Sequence, residues 1–278
     1  MKKYIFFQAF IGDEQTTESE ANTRLAYIYK QLEYLEEQKN LHQFTGEHFL
    51  IVTAPACVDA KIFEIVDRFS LRLWTHEFNR INSFEYPGFL AMQSWADTRS
   101  EESAILYCHS KGSVNTRKNS MGIFRLHTST LLRTPIDEIF KDGDLSKAGL
   151  FPSKYGWFWH NFFWVRSSFL RKKRVSDHDN RHYFESFIGQ HGDEKGYESC
   201  FSLLPMVFDQ EREGTSFQVR RFYEPEDINA NPYLIEKYNQ TQSSWNKITS
   251  EVNSASIKIA SRTNSLLEKL NITMMPRK

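Results

Sequence analysis

The segment 104–112 (AILYCHSKG) ends in side chains that suit an anion. Its apolar first half predicts a buried strand over Ala104–Cys108, and strand alternation directs His109 and Lys111 to one face. Gly112 is free to adopt φ values that let the backbone turn and approach a ligand closely. A cation beside exposed amides therefore predicts a phosphate-binding site here, in which His109 assists Lys111 by a hydrogen bond to a phosphate or sugar oxygen. The alternatives are a solvated lysine and a core histidine with its hydrogen bonds made.

A carboxylate, Glu185, lies in the sequence RHYFESF beside Arg181 and His182. Burial among the rings favours the neutral acid, whereas the neighbouring cations favour the carboxylate. Such a group could take a proton from an acceptor hydroxyl as a general base. The alternative is a structural ion pair with Arg181.

Aromatic residues are concentrated between Tyr155 and Phe187. Rings cover the apolar faces of sugars and an amide hydrogen-bonds sugar hydroxyls, so this segment predicts a sugar-binding wall. Its candidate residues are Trp157, Trp159, His160, Asn161 and Trp164. The alternative is core packing, which we favour for Trp164.

Four segments of the chain follow a recurrent order: Phe84-Glu85-Tyr86-Pro87, Tyr107-Cys108-His109-Ser110-Lys111-Gly112, His160-Asn161-Phe162-Phe163-Trp164 and Arg181-His182-Tyr183-Phe184-Glu185-Ser186. They resemble a poorly characterised family of bacterial and viral glycosyltransferase-like proteins. Its members commonly read E-Y-P, Y-x-H-T-K-G, H-x-S-G-N-F-W-W and R-Y-Y-x-E-x-W. The chain departs at Ser110, where threonine is usual, and at Trp159-His160, where Ser-Gly usually precedes the asparagine.

The resemblance implies a GT-A-like fold: a Rossmann-like, mixed and mainly parallel sheet flanked by helices, with a nucleotide-sugar over its C-terminal edge. It further implies a transferase that moves a hexosyl or deoxyhexosyl group onto a glycan or lipid-linked glycan, in polysaccharide or glycoconjugate biosynthesis. GT-A enzymes usually meet the nucleotide at the end of their first strand, which places Ala9 and Phe10 there. A non-catalytic nucleotide- or glycan-binding module is the alternative, and a metal-dependent nucleotidyltransferase ranks third.

Most GT-A enzymes hold a divalent ion with Asp-x-Asp at the end of the fourth strand, where this chain reads His-Ser-Lys. Positive charge stabilises a leaving diphosphate whether a metal or a side chain supplies it. Lys111 is therefore our candidate to replace the divalent ion, and we expect no cofactor to be required beyond the nucleotide-sugar donor. Dependence on manganese or magnesium stays open.

Two further groups are candidate helpers at this site. Asp142-Gly143-Asp144 matches Asp-x-Asp, yet it follows a helix among turn-forming residues, so a solvated turn is the simpler interpretation. Among the cations after the strand, we prefer Arg125 to Arg117 and Lys118, because its family counterpart also follows an aromatic residue.

Alternating strand and helix patterns must position these residues. Buried-strand runs at 4–11, 48–53, 71–74 and 104–108 alternate with helical stripes at 18–40, 59–69 and 86–98. That rhythm predicts right-handed crossovers and a mainly parallel sheet, with ligands beyond its C-terminal strand ends. Further helix over 116–140 should break near Thr134, because Pro135 lacks an amide donor.

The second half of the chain has weaker patterns. Strands are expected at 150–151 and 161–165 around an aromatic loop, a short helix at 167–172, a helix at 183–188 and an edge strand at 202–208, limited by Pro205. A seven-residue recurrence of Val252, Ile259 and Leu266 predicts a helical appendage. We therefore divide the chain into a catalytic domain, 1–226, and an appendage, 227–278.

Composition restricts partners and compartment. Thirty-five Lys and Arg balance 35 Asp and Glu, which gives no electrostatic case for nucleic acid. Three widely spaced cysteines favour neither a disulfide framework nor a zinc site. No apolar run is long enough for a transmembrane helix, so we expect a cytoplasmic protein. The C-terminal helix could contact the inner membrane face peripherally, or more readily pack on the catalytic domain or form a homodimer.

Overall fold

The computed structural model describes residues 1–77, 84–110, 113, 120–150, 152, 155–178, 181–189 and 196–203, with the strand backbones 207–208, 216–217 and 221–222. Lys111, Gly112, Arg117 and Lys118 lie outside the described residues. So does the predicted helical appendage.

The first half of the chain alternates strands and helices. Its elements are β1 Lys2–Phe10, α1 Glu18–Leu41, β2 Glu47–Thr53, α2 Asp59–Arg68, β3 Arg72–Glu77, α3 Tyr86–Asp97 and β4 Ser103–His109. Helix α1 begins with a capping box, in which Thr17 Oγ1 accepts from the Glu20 amide and the Glu20 carboxylate accepts from the Thr17 amide. Pro87 lies in the first turn of α3. Each of these predicted elements is confirmed.

Shorter elements follow: α4 Ser120–Arg133, α5 Ile136–Ile139, β5 Lys147–Gly149, β6 Phe163–Arg166, α6 Ser167–Arg171, α7 Arg181–Ser186, β7 Cys200–Ser202, β8 Val207–Phe208, β9 Ser216–Phe217 and β10 Arg221–Phe222. The predicted break between α4 and α5 is confirmed, and Pro135 occupies the N-cap of α5.

Eight strands form one sheet in the order β10-β7-β5-β6-β4-β1-β2-β3. Strand β6 runs antiparallel to both neighbours, β4 and β5, and every other pairing is parallel. The start of β6 therefore lies at the same edge as the ends of β1, β4 and β5. We call this the C-terminal edge and the opposite one the N-terminal edge. The structure is thus a mixed α/β fold with a mainly parallel sheet, flanked by helices.

Two strand predictions were wrong in position. The strand expected at 150–151 is Lys147–Gly149, since pairing with β6 and β7 selects those residues. The expected edge strand 202–208 is split: β7 pairs with both β5 and β10, while β8 pairs with β9 in a separate ribbon. Three-residue strands carry too little pattern to fix their register, so tertiary pairing decides it.

The core has two layers, one on each face of the sheet. Residues of α1, α2 and α4 form one apolar cluster with the sheet, and residues of α3, α6 and α7 form the other. Tyr107 and Cys108 of β4 are both fully buried but belong to opposite clusters. The predicted strand in this position is therefore buried on both faces.

Cys108 and Cys200 are buried free thiols and Cys57 is an exposed one. Burial raises the pKa of the Cys108 thiol, which keeps it protonated. Among the described residues, no helix combines the length and apolarity that crossing a bilayer requires.

Candidate functional site

The chain that leaves β4 is anchored on the end of β1. The Ser110 amide donates to Gln8 O at 2.8 Å, and the Phe10 amide donates to Ser110 Oγ at 3.0 Å. Ser113 Oγ donates to Phe10 O at 3.1 Å. Lys111 and Gly112, our predicted phosphate ligands, fall in sequence between these two anchored serines.

His109, the last residue of β4, contacts the start of the β6 region. Its Nε2 lies 2.8 Å from His160 O. Because a carbonyl oxygen only accepts, Nε2 carries the hydrogen in this contact. The half-buried ring stacks on Tyr107, with centroids 6.2 Å apart and planes 13° apart, and packs on Phe162 at 5.1 Å.

The residues that His109 contacts have unusual backbone geometry. His160 and Asn161 both have positive φ, 66° and 53°, within the turn Trp159–Asn161 that precedes β6. Left-handed geometry costs most non-glycine residues roughly 1–2 kcal/mol, and asparagine tolerates it better than histidine. His160 stands where the resembled family usually has glycine, the residue that bears no such cost.

Asn161 is buried, with 2% of its surface exposed. Its Nδ2 donates weakly to Phe184 O at 3.5 Å, and its Oδ1 has no hydrogen-bond partner within the described parts of the chain. Since burying an unpaired amide oxygen is unfavourable, this atom is a candidate acceptor for a donor group brought by a ligand.

The four segments that carry the family resemblance meet in space. The rings of Phe84 and Tyr86, at the start of α3, lie 6.4 and 6.1 Å from that of Phe184 in α7. Asn161 contacts the same residue of α7, and His109 contacts the neighbouring turn. The structure therefore gathers these segments at the C-terminal edge.

Side chains of the predicted sugar-binding wall are only partly described. Trp157 and His160 are half-buried, and Asn161 is buried. The backbones of Trp159 and Glu185 lie in the turn before β6 and in α7, whereas their side chains lie outside the described atoms. Trp164 is buried in the core, where its Nε1 donates to Leu131 O at 2.8 Å, as the packing interpretation expects.

A buried polar network holds α3 against the sheet. Tyr107 Oη donates to Gln8 Oε1 at 2.6 Å, and Gln8 Nε2 donates to Phe84 O at 2.6 Å. Burial, with the nearby Glu85 and Cys108, raises the pKa of Tyr107, so its phenol stays protonated and remains a donor. A Cβ at Gly88 would meet Gln8 Oε1 and would lie 2.8 Å from a Tyr107 ring carbon. Only glycine fits this approach.

The end of β1 carries a cation that sequence reasoning missed. Arg24 of α1 donates from Nη1 to Ile11 O at 3.1 Å, and its Cζ lies 6.0 Å from the ring centroid of the partly exposed Phe10. Among the described residues it forms no ion pair. Ala9 is buried in the strand. An arginine two turns into the helix that follows β1 was the available signal.

Arg125, our preferred helper, is exposed in α4, and its guanidinium lies 5.2 Å from the Tyr34 ring of α1. No contact within the described chain joins it to His109. The structure therefore places Arg125 on the α1–α4 interface.

Asp142-Gly143-Asp144 forms a turn in which the Asp144 amide donates to Asp142 Oδ1 at 3.0 Å. Asp142 O accepts from Arg166 Nη2 at 3.0 Å. This is the simpler geometry that the sequence favoured. Across the described ranges, no three His, Cys, Asp or Glu residues are grouped to hold a metal ion.

A fully buried lysine, also missed from sequence, ties the aromatic loop to the segment after α7. Lys147 Nζ donates to Gly156 O at 2.8 Å and to Ile188 O at 3.0 Å. Lys173 Nζ donates nearby to Gly189 O at 2.8 Å, and burial, aided by Lys147, lowers the pKa of Lys173. Because any residue can supply a backbone carbonyl, such bonds leave no pattern in the sequence. The position of Lys147 directly before an apolar run was the available signal.

No protein-family model and no curated protein matches the chain. Among solved structures, the chain is similar to a cytidylyltransferase from Leptospira borgpetersenii serovar Hardjo-bovis. The two are 14% identical, the match covers 68% of this chain and 74% of that one, and the TM-score is 0.35. A likeness this distant carries no argument about function.

Proposed function

We propose that the protein is a GT-A-like glycosyltransferase that transfers a sugar from a nucleotide-sugar to a glycan or lipid-linked glycan. The observation that carries the proposal is the meeting of the four resembled segments at the C-terminal edge of a mixed, mainly parallel sheet. Ligands of open α/β sheets bind at this edge.

The donor occupies the ends of β1 and β4 in this proposal. Phe10 contacts the nucleotide, and Ala9, predicted as a second contact, is buried beside it in the strand. Lys111 and Gly112 follow His109 in sequence at the end of β4, the strand end that receives the diphosphate, with Arg125 as helper. Two described features support it: Ser110 and Ser113, which flank Lys111 in sequence, both bond to Phe10, and Arg24 adds a cation beside the Phe10 ring. The lysine charge stabilises the departing nucleoside diphosphate in place of a divalent ion.

The acceptor binds against Trp157, Trp159, His160 and Asn161, and Glu185 acts as the base. The carboxylate takes the proton of the acceptor hydroxyl as that oxygen attacks the anomeric carbon and the nucleoside diphosphate leaves. Support comes from the backbone of α7, because Asn161 contacts Phe184, the residue directly before Glu185. The proposal also includes the C-terminal helix, which either contacts the membrane surface, where a lipid-linked acceptor would be found, or forms a homodimer.

Lys111→Ala tests the donor half of the proposal. We expect transfer to be abolished and nucleotide-sugar affinity to fall, with the unfolding temperature unchanged. A thermal-shift panel of nucleotide-sugars, with and without Mn²⁺ or Mg²⁺, identifies the donor first, because a ligand specific for the native state raises that temperature. Lys141→Ala, which removes an exposed lysine paired with Glu138, is the matched control. Unchanged affinity and turnover in Lys111→Ala would refute the proposal.

Glu185→Gln tests the acceptor half. Loss of a general base lowers kcat by about 10²–10⁴-fold, while donor affinity is retained. A wild-type protein that binds nucleotide-sugars but neither transfers nor hydrolyses them would instead be a binding module.

A further inference from the structure

We propose that His109 is a positioning residue for the acceptor side, which holds the left-handed His160–Asn161 turn in place through the hydrogen bond from its Nε2 to His160 O. The kinetic part of this inference rests on the proposed function. It assigns His109 to the wall that contacts the acceptor, although its strand leads to the diphosphate site.

Backbone strain at the C-terminal edge is the first support. Five described non-glycine residues have positive φ, and two of them, Gln43 and Ser70, directly follow helices, where left-handed residues are common. The other three, Phe84, His160 and Asn161, belong to the resembled segments at the C-terminal edge. Strained conformations persist where the surroundings over-determine them, so this edge must hold its turns actively.

A side-chain hydrogen bond to the carbonyl of a left-handed residue occurs on each of two neighbouring strands. Gln8 of β1 donates to the carbonyl of Phe84, whose φ is 49°, and His109 of β4 donates to the carbonyl of His160. Gln8 and His109 are partners in the β1–β4 register. The β1–β4 register thus ends in two side-chain donors, each of which bonds to the carbonyl of a residue with positive φ.

The environment of the ring fixes its direction. Tyr107 and Phe162 pack against the His109 ring, and the buried His127 ring packs nearly perpendicular to the His160 ring, with centroids 5.4 Å apart. An Nε2–H directed at a carbonyl oxygen is engaged, so it does not bind a phosphate oxygen in this arrangement.

The turn has a direct consequence for the next residue. It places the Asn161 amide under α7, where Nδ2 contacts Phe184 O and the buried Oδ1 has no partner among the described residues. The donor side is anchored separately, through Ser110 and Ser113 on Phe10. Release of the turn should therefore disturb the acceptor wall and leave nucleotide binding intact.

Substitutions at His109 test the role directly. His109→Leu keeps an apolar packing surface but removes the N–H that bonds to His160 O. We expect it to raise KM for the sugar acceptor at least about tenfold, with the Kd for the nucleotide-sugar changed less than about twofold. His109→Gln retains an N–H donor and should recover most of the loss. A rise in donor Kd with an unchanged acceptor KM would show instead that His109 binds phosphate, and would overturn the inference.

A glycine background tests the strain itself. Because glycine adopts positive φ without cost, His109→Leu should have a several-fold smaller effect in His160→Gly than in the wild-type background. An equal effect in the two backgrounds would contradict the inference.

The same double-mutant cycle, read in unfolding by urea, needs no substrate. Coupling there without any nucleotide binding by the wild type would refute the proposed function and keep the positioning role. Nucleotide binding by the wild type without coupling between the two substitutions would refute the positioning role of His109 and keep the proposed function.

Discussion

The two ends of strands β1 and β4 differ in the groups that their basic side chains and hydrogen-bond donors contact. At the N-terminal edge Lys2 pairs with Glu101 at 2.8 Å, and Lys3 pairs with Asp137 at 2.6 Å. At the C-terminal edge Arg24 donates to Ile11 O and His109 to His160 O. At the N-terminal edge basic side chains form ion pairs with carboxylates, whereas at the C-terminal edge side-chain donors bond to neutral backbone carbonyls.

The difference separates stability from binding. An ion pair between acid and base neutralises both charges, so it leaves little field for a ligand. The Arg24 guanidinium is held by a carbonyl beside the Phe10 ring and forms no ion pair among the described residues, although it interacts electrostatically with Glu20. An anion arriving there would therefore meet a cation that is already oriented. We therefore expect substitutions at the C-terminal edge to change ligand binding, and those at the N-terminal edge to change only stability and its pH dependence.

The largest effect should come from Gly88→Ala, at the C-terminal edge. The added methyl group would collide with Gln8 Oε1 and the Tyr107 ring, which cannot move without breaking their hydrogen bond. We expect a loss of about 2–3 kcal/mol in the free energy of unfolding, measured in urea. Gly122→Ala in α4 is the control: nothing lies within 4 Å of its Cβ, so it should stabilise by roughly 0.5–1 kcal/mol. Equal effects would show that the network does not depend on this close approach.

Arg24→Gln should weaken nucleoside diphosphate binding about tenfold, equivalent to about 1.4 kcal/mol, because the cation beside Phe10 is removed. Isothermal titration with a nucleoside diphosphate and its parent nucleoside measures the change. Only the diphosphate should lose affinity. Arg68→Gln, which removes an arginine lying 5.5 Å from the Tyr29 ring, is the matched control. Equal losses for the two ligands would exclude a phosphate contact.

His48→Phe tests a buried base near the start of β2. His48 is 4% exposed, neither ring nitrogen has a hydrogen-bond partner among the described residues, and burial, with Lys39, lowers its pKa well below 6.5. The unfolded chain takes up a proton that the folded chain does not, so the wild type loses stability as pH falls below 6.5. We expect His48→Phe to stabilise by about 1 kcal/mol at neutral pH and by more in acid.

Urea unfolding at several pH values provides the measurement for His48→Phe. A constant difference between His48→Phe and wild type across this range would mean that the folded protein does protonate His48.

The smallest effect should come from Asp137→Asn at the N-terminal edge. Burial favours the neutral acid, but hydrogen bonds from Lys3 and the Met1 amine outweigh it and lower the pKa of Asp137 below 3.8. The stabilisation is present above that value and is lost as pH falls through the lower, folded-state pKa. With the carboxylate 38% exposed, we expect roughly 0.2–1 kcal/mol at neutral pH, reduced by salt. Any change in nucleotide affinity would break the contrast between the two edges.

Long, strongly patterned elements could be predicted from sequence. Strand β1, helix α1 and strand β4 each carry a buried run or a helical stripe, which local sequence determines. Strands β5 and β7 have three residues each, and their positions depend on pairing with strands distant in the chain. Sequence therefore predicted the order of elements better than the bounds of the short ones.

The candidate site divides in the same way. The strand end at His109 and the order of the four segments followed from sequence, because motifs are local. The bonds of Arg24 and Lys147 to carbonyl oxygens did not, since any residue can supply a carbonyl. The positive φ of His160 also had no local signal, as histidine stands where glycine would have marked it.

Strand β6, which runs antiparallel to its neighbours in the eight-stranded sheet, also determines where the chain can change in length. Because β5 ends and β6 begins at the C-terminal edge, the chain between them, 150–162, leaves the sheet and returns to it at one place. A bridge between Pro152 and Phe158 closes its base. Its length can therefore change without a shift in any strand's register, provided that the buried anchors Phe158 and Asn161 and the bond from Lys147 to Gly156 O are kept.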